Sequence, residues 1–63
     1  MTALPIWVIK NSEEYFSGFA AGGEISTVVK ANYAMTFLSF GTAQKYARAL
    51  EEITGERWEV TAG

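Results

Sequence analysis

From Ala43 to Ile53 the chain repeats apolar residues at helical spacing, with Ala43, Tyr46, Ala47, Leu50 and Ile53 separated by Gln44, Lys45, Arg48, Glu51 and Glu52. Such a stripe marks a helix with one buried side and one side at ease in water. Ser39 supplies an N-cap, because its hydroxyl can accept a first-turn N–H, and Gly55 can take the left-handed conformation that ends a helix. The expected helix runs from Phe40 to Thr54. A single helix of this kind must bury its stripe against something else, and the rest of the chain has the composition of strands.

Ile6 to Lys10 is apolar and partly β-branched and stops at Asn11 and Ser12, which favour turns. Glu14 to Phe19 resumes with Tyr15, Phe16 and Phe19 after a connection of hairpin length, so the first two strands are expected to pair antiparallel. Ala20 to Gly23 is a flexible break, and Ile25 to Val29 reads as a third strand. Lys30 to Phe37 fits two patterns: Tyr33, Met35 and Phe37 alternate as in a strand, while Ala34 and Phe37 also suit a helical turn. Arg57 to Val60 alternates polar and apolar and reads as a closing strand beside the sheet. The expected architecture is one α+β domain over residues 1–63. In it a short antiparallel sheet of three to four strands, in the order β-β-β-α-β, is packed on one face by the C-terminal amphipathic helix.

Of the 63 residues, 49% are hydrophobic and 14% aromatic, which places the chain among folded rather than disordered sequences. At this length folding removes only about 60% of the unfolded surface from water, so the core must be small and dense. The absence of cysteine and histidine excludes disulfides and the usual zinc, haem and iron–sulfur ligand sets, and no cofactor is expected. Five basic residues against seven Glu give a net charge of -2, too mild for a basic nucleic-acid binder or an acidic mimic of one. Met1 to Pro5 has no basic leader region, and no apolar run reaches the ~20 residues that span a bilayer, so a cytoplasmic location away from membranes is expected.

The candidates for chemistry are few. Glu13 with Glu14 and Glu51 with Glu52 are paired carboxylates, but adjacent helix residues diverge by about 100° and a hard metal needs several oxygens together, so both read as solvated faces. The hydroxyls of Ser17, Ser26, Ser39, Thr27 and Thr42 have no histidine to act as base, and Lys10, Lys30 and Lys45 show no special pairing. Gly22 and Gly23 lack the pattern of a phosphate-binding loop. No catalytic and no metal-binding residue is assigned, and the chain reads as a non-enzyme.

Binding is the more pointed expectation. Alternation sends Ile6 and Val8 to one face of the first strand and Trp7 and Ile9 to the other, and sets Tyr15 and Phe19 opposite Phe16. One helix covers one face, so a second apolar surface is left. Either Ala20 to Leu38 folds over it, or it is a binding patch. Trp7, Tyr15 and Trp58 are the expected anchors for a protein partner, or for a homodimer joined through the sheet with Trp7 and Trp58 as its self-complementary patch. The alternative is nucleic acid, held by Lys10, Lys30 and Arg57 around Trp7, Tyr33 and Trp58. Glu56 and Glu59, flanking the same tryptophan, weigh against it.

The arrangement of Ile6 to Asn11, Tyr15 to Gly18, Ala34 to Phe37, Ala43, Tyr46, Ala47, Leu50 and Trp58 to Val60 resembles small uncharacterised proteins encoded by bacteriophages and prophages. The resemblance spans most of the chain and carries no catalytic motif. It implies a protein made inside an infected bacterium that acts by binding a host enzyme or defence complex.

Overall fold

The expected helix forms over Phe40–Thr54 (α1) in the computed structural model, which describes residues 6–63. The reading of Met1 to Pro5 as leaderless lies outside the described residues. Ser39 Oγ accepts the Thr42 N–H at 3.4 Å, and Gly55 closes the helix at φ +74°, where only glycine rests without strain. Ala43, Ala47 and Leu50 form its buried stripe, and the two alanines let the helix approach closely.

Four strands complete the α+β fold: Trp7–Lys10 (β1), Tyr15–Phe19 (β2), Ile25–Val28 (β3) and Glu59–Ala62 (β4). They form one antiparallel sheet in the order β3-β2-β1-β4. The last strand starts two residues later than its sequence pattern suggests. Trp58, just before it, donates its backbone N–H to a Glu51 carboxylate oxygen at 3.2 Å, so this stretch serves the return from the helix, and pairing opens at Glu59 opposite Lys10.

Asn11 shapes the β1–β2 connection, its Oδ1 accepting the N–H groups of Glu13 at 2.9 Å and Glu14 at 2.6 Å. Beyond the Lys10–Tyr15 pair the two strands part. The ambiguous Lys30 to Phe37 segment occupies the gap, so that both of its patterns are realised in turn. Ala31–Tyr33 makes one 3-10 turn, after which the chain extends between the strands. The Met35 N–H donates to the Phe16 carbonyl at 3.0 Å, while Trp7 and Phe37 exchange two backbone bonds of 2.8 Å.

The core on the helix side comprises Ile9, Phe16, Phe37, Ala43, Ala47, Leu50 and Trp58, with Trp7, Ile25 and Val60 packed against it. The far face is closed too. Val8 and Ala34 are buried there or nearby, outside the main cluster, and a Cβ placed on Gly63 would lie 3.2 Å from the side chains of Ile6 and Val8. Of residues 20–38, only Ala34 and Phe37 are buried. Their last part is wedged into the sheet.

The β2–β3 register slips between Phe16 and Gly18. Ser17 and Gly18 together face Ser26, a bulge that bends the strand and adds one residue to it. Gly18 accommodates this at φ +132°, and Ser17 Oγ meets Ser26 Oγ at 3.0 Å. The extra residue reverses the alternation, so Phe16 and Phe19 share the helix side, edge to face with ring centres 5.4 Å apart. The expectation that they oppose each other fails for this reason.

Candidate functional site

A helix is about 10 Å wide, whereas four strands about 4.8 Å apart make a broader floor. α1 lies over β1 and β4. The β2–β3 half of the same face is left beside it, as an apolar trough. Its floor is Phe19 and Ile25, which face each other across the two strands, and its wall is Tyr46 and Ile53, two turns apart on one side of the helix.

Phe19 is 52% exposed and Ile53 64%, large values for residues of this kind on a 63-residue chain. Tyr46 is also exposed but is held in place, its ring centre 6.4 Å from that of Phe16 and 5.1 Å from that of Phe37. The rings of Phe19, Phe16, Tyr46 and Phe37 thus run in series under the trough, Phe16 and Phe37 buried and Phe19 and Tyr46 open to solvent. Val29, 74% exposed, follows the end of β3.

The three residues expected to anchor a partner do not converge. Trp7 is half-buried on the helix side, stacked edge-on against Phe40 at 5.0 Å. Tyr15 is half-buried on the opposite face, beside Lys10 and Val28. Trp58 is only 5% exposed: it belongs to the core beneath α1, its Nε1 donating to Thr54 Oγ1 at 2.9 Å. A patch of Trp7 and Trp58 on the face away from the helix does not exist, because both side chains point toward the helix. A charge placed at position 58 would enter the core, so it cannot serve to split a dimer.

Lys10, Lys30 and Arg57 do come to one end of the sheet, where β1 ends, β3 ends and β4 begins. They share that end with Glu13, Glu14, Glu56 and Glu59, and Lys10 lies directly across from Glu59. Of the aromatics proposed to stack on bases there, Trp58 is buried and Trp7 sits at the other end of β1. Glu13 and Glu14 border an open hollow of about 280 Å³ with Lys10 and Tyr15. A second open cleft, about 360 Å³, runs between α1 and β4 with Arg48, Arg57, Glu51 and Glu59 around it, so its charges balance.

Among the described residues no three acidic side chains gather as a metal site would require, and no helix is long and apolar enough to cross a membrane. Phe19 and Ile53 were missed as site residues. Ile53 stood within the helical stripe as one more buried position, and Phe19 was placed on the wrong face by the undetected bulge. Comparison with protein-family models, with curated proteins and with solved structures returned no match for this chain.

Proposed function

We propose that this chain is a non-enzymatic protein-binding module that takes an apolar segment of a protein partner into the trough between α1 and β3. The exposure of Phe19 on the sheet, and of Tyr46 and Ile53 along the side of α1 that sets Tyr46 against Phe16, carries this reading. Small proteins seldom leave contiguous apolar surface in water unless it is used, and aromatic residues are enriched where partners bind. The resemblance to phage-encoded proteins adds a direction: the partner is a host bacterial protein in the cytoplasm, and binding modulates or inhibits it. Nucleic acid is the weaker alternative, since its three cations stand among four carboxylates and away from the apolar trough.

The test compares the wild type with a Phe19→Ser, Ile53→Gln double variant as bait in bacterial lysate. Both side chains are more than half exposed. Ile53→Gln should shift stability by roughly 0.5 kcal/mol. Phe19→Ser also loses the edge-to-face contact with Phe16, worth roughly 0.5–1.5 kcal/mol, so the folding of the variant is checked first by circular dichroism. A protein retained by the wild type at micromolar bait and lost with the variant is the expected result. Equal retention by both, or retention of nothing specific, sinks the reading. Mobility shifts on single- and double-stranded DNA and RNA at low salt address the alternative, because phosphate contacts are strongest there.

A further inference from the structure

The trough has the breadth of one helix. β2 and β3 together span about 10 Å, two strand spacings, and helices pack side by side with roughly 8–10 Å between their axes. α1 takes the β1–β4 half of this face, and the half left open is as wide as the half it covers. The side of α1 that borders the opening suits a neighbour of the same kind. Thr42, Tyr46, Ala49 and Ile53 follow one another along α1 at intervals of four, three and four residues, and all four are exposed. That spacing keeps them on one side of a helix, in the pattern by which helices lie against each other. None carries charge, and the small Ala49 between two larger side chains leaves the room that a ridge of another helix fills. On the floor, Phe16 stands opposite Thr27 and Phe19 opposite Ile25, again without charge.

Backbone chemistry decides what kind of segment the trough can bury. The N–H and C=O groups of β2 and β3 lie in the plane of the sheet and those of α1 run along its axis, so neither floor nor wall offers them to a visitor. An extended segment laid there would bury its own groups unpaired, whereas a helix pairs its own. Charge decides against a second copy. The inner stripe of its α1, Ala43, Ala47 and Leu50, is buried against its own sheet, so only its outer face could reach this floor. That face carries Lys45, Arg48 and Glu52, which would be set on Phe19 and Ile25 at the cost of their hydration.

We infer that the segment taken into the trough is an amphipathic α-helix of the partner, lying on β2 and β3 alongside α1 and completing a layer of two helices on the four-stranded sheet. Its apolar stripe meets Phe19 and Ile25 below it and Tyr46, Ala49 and Ile53 beside it, and its outer face is polar. The inference rests on the proposed function and names the kind of segment that function leaves open. A helix as long as α1, with its 15 residues, spans about 22 Å.

The probe is a displayed library of random peptides about 16 residues long, enough for four helical turns. It is selected on the wild type and counter-selected on the Phe19→Ser, Ile53→Gln variant. Peptides that pass should carry apolar residues at intervals of three and four, and the strongest of them, made synthetically, should gain helical ellipticity when bound. Ala49→Glu changes an exposed position where glutamate suits a helix, and it should weaken that peptide about tenfold or more, because the new charge faces the apolar stripe. Peptides that alternate apolar and polar residues would be strands added to the edge of β3, and they overturn the proposal. So does a library that enriches nothing, or undiminished binding to Ala49→Glu. A wild type that dimerises in sedimentation while the Phe19→Ser, Ile53→Gln variant stays monomeric puts a second copy in the trough and overturns it as well. A trough-dependent protein retained from lysate beside alternating peptides refutes this inference and leaves the proposed function standing. Helical peptides with no such protein retained do the reverse.

Discussion

Thr54 ends the helix and holds the next turn with one hydroxyl. Its Oγ1 donates to the Leu50 carbonyl at 2.7 Å and accepts from the Glu56 N–H at 3.1 Å and from the Trp58 indole at 2.9 Å. A hydroxyl has one proton and two lone pairs, so this group is fully used. Valine has the same shape and none of these capacities. Thr54→Val should therefore leave the buried indole N–H without a partner and cost roughly 1–3 kcal/mol. That is a large share of a total of roughly 3–9 kcal/mol for a chain of this size. Thermal unfolding followed by tryptophan emission measures it; a midpoint unchanged within error would mean that the indole finds another acceptor and that the hydroxyl is dispensable.

Among the elements, the bulge in β2 decides which side chains meet. Gly18 sits at φ +132°, a region that residues with a Cβ scarcely visit, although no atom would collide with a Cβ there. Gly18→Ala should cost roughly 1–3 kcal/mol through backbone strain alone, read by chemical denaturation. A loss below that range would show that the strand can straighten and return Phe19 to the other face. The helix was plain in the sequence, from its Ser39 cap to its Gly55 stop, because period, cap and terminator are all local. So were β1, β2 and β3 and the α+β class. The bulge was not, since one extra residue leaves no mark on composition. Nor was the lateral seat of α1: periodicity says which side of a helix is buried, while the choice of β1 and β4 as its floor depends on contacts distant in sequence. Hence the spare apolar surface was foreseen and its location was not.

At the scale of the whole molecule, β1, central in the sheet, is held mainly by contacts distant in sequence. Its pairing with β2 is one residue pair, Lys10 with Tyr15. Its other neighbours are Phe37, bonded to Trp7, and β4, which pairs Trp7 with Ala62 and Lys10 with Glu59. β2 and β3, by contrast, meet through the short turn that sets Phe19 opposite Ile25. Closing long loops costs entropy before any contact repays it, and chains rich in distant pairings fold slowly. An order in time follows for the central strand. The β2–β3 hairpin and α1 should acquire structure first, and β1 should be captured late, once β4 has been brought back beside it. Pulsed hydrogen exchange during refolding checks this: amides of Ser26 and Val28 are expected to gain protection before those of Val8 and Lys10. Simultaneous protection of all four would mean that the sheet assembles in one step. If the order holds, a ribosome-bound chain in which Glu59 to Ala62 have not yet emerged cannot seat β1, and its apolar Trp7, Val8 and Ile9 stay open to chaperones until β4 is available.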